Sequence, residues 1–113
     1  MTLCRGEIWL INLNPSKKSN EVAKVRPALI LQNDELNASN YPTTMILPMT
    51  TQLIDDAEPL RYRVDARDNL NQNSDILIAH IRAIDNDRFI EKLAVLNMKE
   101  LKEVKILLDE LLI

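Results

Sequence analysis

The sequence predicts a mainly β chain: a small barrel with one amphipathic α-helix packed beside it. Two observations carry this. Short runs of β-branched and aliphatic residues, bounded by turn residues, follow one another from Glu7 to Leu96 with no helical stripe between them. A helical stripe then occupies the C-terminus alone. A parallel α/β sheet is disfavoured, because its crossover connections need the helices that are missing here. The 113 residues fit one domain over 1–113, and 46% hydrophobic with 27% charged residues is a globular rather than a disordered composition. Such a chain buries roughly two thirds of its unfolded surface, enough for one core without staples.

The first strand runs from Glu7 to Leu13, where Ile8 and Leu10 alternate with Trp9, Ile11 and Leu13 and Asn14-Pro15-Ser16 supplies the turn. Residues 16 to 25 are polar and basic and read as a loop. Arg26-Pro27 opens the apolar run Ala28-Leu29-Ile30-Leu31, a strand buried on both faces, with Pro27 tolerated at its start. Asn37 to Asn40 reads as a polar loop. Thr43 to Leu47 is a third strand with Pro48 near its end, and an acidic loop follows through Asp55, Asp56 and Glu58. Leu60, Tyr62 and Val64 alternate with Arg61 and Arg63, a half-exposed strand. Asp75 to Ile84 is apolar around His80 and Arg82, Asp85 to Arg88 suits a short helix, and Leu93 to Leu96 suits a last short strand. At the C-terminus Asn97 and Glu100 form an N-cap pair. Behind them Leu101, Val104, Leu108 and Leu111 recur at helical spacing, widened by Leu107 and Leu112. The apolar end Leu111 to Ile113 fits either a packed terminus or a dimer interface.

Several function classes are excluded. One cysteine, Cys4, allows no internal disulfide and fits a reducing compartment. Arg5 and Glu7 interrupt the opening residues, and no apolar run approaches the ~20 that a membrane span needs. Neither a secretory nor a membrane segment is expected, and the cytoplasm is the expected location. A single histidine and a single cysteine make no zinc site of usual spacing, Gly6 alone makes no glycine-rich phosphate loop, and no Ser elbow or HExxH pattern occurs. No metal or other cofactor is therefore expected. The net charge of -3 argues against a simple nucleic-acid binder, although a site needs only a local positive field. Lys17, Lys18, Lys24 and Arg26, then Arg61, Arg63 and Arg67, provide two such stretches; solvated loop charges are the plainer reading of both.

Four short motifs remain. They are Arg5-Gly6-Glu7-Ile8-Trp9, Glu21 with Arg26-Pro27-Ala28-Leu29-Ile30-Leu31, Pro48-Met49-Thr50-Thr51-Gln52, and Ile81-Arg82-Ala83-Ile84-Asp85. In this order and spacing, ahead of the terminal helix, they resemble the MazF/PemK toxin family from about Arg5 to Leu112. The resemblance implies an SH3-like barrel (the CcdB/PemK-like fold) and a homodimer. It implies metal-independent, sequence-specific cleavage of single-stranded RNA. The RNA's own 2′-hydroxyl is the nucleophile, leaving a 2′,3′-cyclic phosphate and a 5′-hydroxyl. It further implies growth inhibition, neutralisation by a cognate antitoxin whose disordered segment wraps the toxin, and DNA binding through that complex.

Residue by residue, the resemblance assigns the chemistry to Arg26, Thr50 and Glu21. Charge builds on the non-bridging oxygens of the attacked phosphate, and a guanidinium offers a fixed fork of donors that stays charged. Arg26 fits that clamp, against the plainer alternative of an arginine paired with a carboxylate. Thr50 can donate its hydroxyl to the same phosphate, or simply bond backbone. Glu21 can take the 2′-hydroxyl proton or orient Arg26, and the sequence does not choose. Asn20, Lys17, Lys18, Lys24, Thr51, Gln52 and Arg61 are the further RNA-binding candidates. No side chain stands out as general acid for the leaving 5′-oxygen.

The chain departs from the family pattern in places. Its loop reads Ser19-Asn20-Glu21 and then Val22-Ala23-Lys24 where glycine is common. The Arg and Asp that some members place before the late Arg-Thr-Ile-Asp motif are Leu77 and Ala79 here, so that catalytic scheme does not transfer. His80, where Gln is common, reads as a hydrogen-bonded structural residue, and Arg82 and Asp85 as polar locks of the barrel end. Trp9 reads as buried rather than stacked on a base, and Tyr41 is a weaker stacking candidate. Two other functions stay open: a toxin of the same fold that inhibits DNA gyrase, and an inactive relative that keeps antitoxin binding.

Overall fold

The computed structural model describes residues 2–13 and 24–112. The described strands are β1 (Glu7–Asn12), β2 (Val25–Ile30), β3 (Thr43–Thr50), β4 (Arg61–Val64), β5 (Ser74–Leu77), β6 (Arg82–Asp85) and β7 (Phe89–Val95). A one-turn helix α1 (Asp34–Ala38) follows β2, 3-10 helices cover Ile78–His80 and Asn86–Arg88, and α2 (Met98–Leu112) ends the chain. All strand pairs are antiparallel, in the order β4-β5-β3-β2-β1-β7, with β6 paired to β3. The mainly β class and the C-terminal helix are as the sequence predicts. The sheet curls without closing into a full ring, and β4 and β7 end its path.

Because strand side chains alternate between faces, the central strands feed two cores. Ile8, Leu29, Leu47 and Met49 face α2 and pack with Ile76, Ile78, Val104 and Leu107. Trp9, Ile11, Ala28, Ile30 and Ile46 face the other way and pack with Ile84 and Phe89. Burial on both faces explains why the early strands read as continuous apolar runs. Trp9 is buried as expected; its indole N–H donates to Glu7 Oε1 at 2.9 Å, and its ring meets Phe89 edge-on. Gly6, at φ 92, turns the chain into β1 with a backbone few other residues adopt; its N–H bonds Ile30 and its carbonyl accepts from Leu96.

Helix α2 starts as the sequence predicts. The Glu100 N–H donates to Asn97 Oδ1 at 2.8 Å, and the Asn97 N–H donates to Glu100 Oε1 at 3.0 Å. Arg67 grips the same carboxylate with two parallel bonds of 2.6 and 2.7 Å, tying the helix start to the loop after β4.

Several expectations need correction. Part of the stretch read as polar loop is α1, capped by the Asn33 side chain accepting from the Leu36 N–H; one turn is too short to show a periodicity. Pro27 sits inside β2 rather than at its start. The ladder to β3 begins only at Ala28, so β2 has a single neighbour there. Strand β3 runs on through Pro48 to Thr50, because past Pro48 it changes partner from β2 to β5. The apolar stretch around His80 is two strands and a 3-10 helix, and the last strand begins at Phe89 rather than Leu93.

Candidate functional site

The β2–β3 ladder ends at the pair Ala28–Pro48, where Pro48 has no N–H to continue it. Carrying the register two residues outward sets Arg26 opposite Thr50. Directly opposed residues share a sheet face, here the one that carries Ala28 and Ile46. The two strands part just beyond, and a groove of about 660 Å³ opens over the rim of that core. Arg26 and Thr50 both line it, so the two residues singled out first from the sequence do meet.

The groove's chemistry is one-sided. Lys24 and Arg26 come from the β2 side, Arg61 from β4, and His80 and Arg82 from the far side of β3. No Asp or Glu is among its described lining residues. Among the described residues the Arg26 guanidinium has no hydrogen-bond or ion-pair partner, so pairing with a carboxylate there is not its role. Thr50 is 7% exposed, and its Oγ1 accepts the Gln52 N–H at 3.1 Å, leaving its own proton to donate. Such an array of donors around one open space can bind a phosphate and neutralise charge that develops on it.

Arg61 is the exception among these cations. Its Nη1 donates to the Gln52 carbonyl at 2.8 Å and to Asp75 Oδ2 at 3.1 Å. Asp75 is 1% exposed and also accepts from Arg63 Nε and from the Ile54 N–H at 3.0 Å. Burial pushes the Asp75 carboxyl up, but these donors outweigh it and hold the group below the usual aspartate range. Arg61 thus forms the wall between the groove and a second cavity of about 590 Å³ lined by Asp55, Asp56 and Glu58.

Of the other predicted RNA contacts, Lys24 and Gln52 line the groove. Thr51 does not. One residue beyond Thr50, it turns to the opposite face and lines a smaller depression with Leu10, Pro27 and Leu70. Lys17, Lys18, Asn20 and Glu21 lie outside the described residues. His80 and Arg82 were read as structural, yet both are exposed, line the groove and have no hydrogen-bond partner among the described residues. Asp85 faces away, with Arg88 Nε 4.0 Å from it. The signal for Arg82 was its place in the late motif, and for His80 its place just ahead of it among Leu77, Ile78 and Ile81. Tyr41 is exposed but outside the groove.

Residues 4–112 match the family described as the PemK-like, MazF-like toxin of type II toxin-antitoxin systems. The endoribonuclease MazF of Staphylococcus saprophyticus is 36% identical over 107 residues, covering 93% of this chain and 87% of the relative. Among solved structures, MazF of Deinococcus radiodurans superposes with a TM-score of 0.76 at 25% identity, covering 99% of this chain and 97% of that one. A MazE–MazF structure from the same organism gives 0.79 at 24% identity, covering 99% and 96%.

Proposed function

This chain belongs to the PemK-like, MazF-like toxin family of type II toxin-antitoxin systems, and we propose that it is an endoribonuclease that cuts single-stranded RNA in the groove between Arg26 and Arg82. One observation carries this reading: Arg26, with no carboxylate partner among the described residues, shares a cationic groove with the Thr50 hydroxyl. A surface that only bound another protein would not need an unpaired guanidinium beside a poised hydroxyl.

In the proposed reaction the RNA's own 2′-oxygen attacks the adjacent phosphorus, and no metal takes part. Arg26 holds the non-bridging oxygens with two donors while charge builds on them. Thr50 donates a further hydrogen bond, and Lys24, Gln52, Arg61 and Arg82 track the flanking backbone. Glu21 takes the 2′-hydroxyl proton or orients Arg26, with Asn20, Lys17 and Lys18, nearby in the chain, as further contacts. The products are a 2′,3′-cyclic phosphate and a 5′-hydroxyl.

The reading extends to partners. A cognate antitoxin with a disordered acidic segment fits the groove's charge and would exclude RNA from it, and the pair would bind DNA together. A second copy of the chain fits the exposed apolar residues Met45, Ile81 and Met98 beside α2. No helix among the described residues is long and apolar enough to cross a membrane, and we place the protein in the cytoplasm as a single domain over 1–113.

The test is incubation of the purified protein with single-stranded RNA in excess EDTA, followed by analysis of the product ends. Cleavage that yields cyclic phosphate and 5′-hydroxyl ends, and that disappears with Arg26→Ala, is the expected outcome. Intact RNA with a folded wild-type protein overturns the proposal.

A further inference from the structure

The cleavage just proposed lacks a proton donor for the departing 5′-oxygen. A guanidinium and a threonine hydroxyl are both poor acids. Among the groove's described lining residues, His80 is the only imidazole, the side chain that most often serves as a general acid or base. We propose that His80 is the general acid of this reaction, its imidazolium protonating the 5′-oxygen as the P–O5′ bond breaks. The assignment rests on the ribonuclease reading.

Geometry supports it. His80 ends the Ile78–His80 helical turn, which packs on β3 from the side opposite β2, between the stretches where β3 pairs with β5 and β6. The turn is anchored: Ile78 is fully buried, and its N–H donates to the Leu60 carbonyl at 3.0 Å. His80 itself is exposed and makes no hydrogen bond among the described residues. A rigid base thus carries an uncommitted ring. Two strand spacings, roughly 9–10 Å, separate the β2 backbone from that turn across β3. Arginine and histidine side chains reaching inward over that distance can touch the two ends of one phosphodiester.

The charges facing the ring are Lys24 and Arg26 from the β2 side, Arg61 from β4 and Arg82 from β6. Strand β3 contributes the neutral Thr50, and α2 meets the turn through the core of Ile78, Val104 and Leu107. No carboxylate is among the groove's described lining residues, so none of them pairs with the ring.

The step balances. The 2′-oxygen forms its bond to phosphorus, and its proton passes to the Glu21 carboxylate or to water. The P–O5′ bond breaks with its electron pair on the 5′-oxygen, which takes the imidazolium proton. Neutral imidazole is then reprotonated from water.

The experiment compares wild type with His80→Gln on an oligoribonucleotide under single-turnover conditions across pH, then on the same oligonucleotide with sulfur replacing the bridging 5′-oxygen. A thiolate leaves without protonation. A required imidazolium makes the wild-type rate fall tenfold per unit on the alkaline side. His80→Gln removes that limb and lowers the rate by roughly 10²–10³-fold. On the sulfur substrate the two proteins cleave within a few-fold of each other. Wild-type cleavage that His80→Gln leaves unchanged, or a loss that persists on the sulfur substrate, overturns this assignment and leaves the ribonuclease reading standing. A folded wild-type protein that cleaves neither substrate overturns both.

Discussion

Arg26 and Arg61 border the same groove and look alike in sequence, each near the start of a strand and beside other basic residues. Their surroundings differ. Across the sheet from Arg26 stands Thr50, a neutral hydroxyl, and the charged residues among the described lining of its groove are all cations. The strand next to Arg61 and Arg63 carries Asp75, a buried acid that takes both guanidiniums. Arg67 is likewise committed to Glu100. Lys24 and Arg26 therefore present charge to the open groove, while Arg61, Arg63 and Arg67 hold loops and a helix in place. The same contrast explains how a chain with net charge -3 carries a positive groove: none of its acids is among the groove's described lining residues, and Asp55, Asp56 and Glu58 line the neighbouring cavity instead.

The largest effect tests that contrast directly. Arg26→Ala should lower the cleavage rate by roughly 10²–10³-fold with the thermal midpoint little changed, since no described hydrogen bond or ion pair is lost. Arg61→Ala, whose charge is already neutralised, should cost less than about tenfold in rate. Equal losses for the two variants would break the comparison.

Asp75→Asn should act on stability. It removes the acceptor of Arg61 and Arg63 and should destabilise the fold by about 2–3 kcal/mol at pH 7 in chemical denaturation. Because the folded state holds this carboxyl below its ordinary value, its contribution is full above roughly pH 4 and fades as pH falls through the lower, folded-state value. The gap between wild type and variant should therefore narrow at pH 3; a constant gap would mean that the ion pairs contribute nothing.

Glu100→Gln is the smallest of the three. Arg67 lowers the Glu100 carboxyl first, against burial, with help from the Asn97 N–H. The amide keeps part of the capping bond, so about 1–2 kcal/mol at pH 7 is expected, again shrinking below roughly pH 4. A loss as large as that of Asp75→Asn would show that the latch, and not the buried acid, organises this side of the molecule.

Legibility followed range. The α2 cap was readable because Asn97 and Glu100 are three residues apart, and the central strands because burial on both faces leaves unbroken apolar runs. The single turn α1 and the continuation of β3 past Pro48 were not readable: one has too few residues for a period, the other depends on a change of partner. At the groove, Arg26 and Thr50 were found through their motifs. His80 and Arg82 read as structural because local sequence cannot show whether a polar side chain finds a partner, and Thr51 read as a contact because sequence cannot show on which face the chain leaves β3.

By itself the sequence determined the class of fold, the terminal helix with its cap, and the pair Arg26 and Thr50 as the residues to watch. Only the tertiary structure decided which arginines stay unpaired, which residues share the groove, and that the lone histidine joins them. Capping and periodicity depend on neighbours within about four positions. The partner of a charge depends on cross-strand register, which set Arg63 beside Asp75 and Arg26 beyond the reach of any described acid.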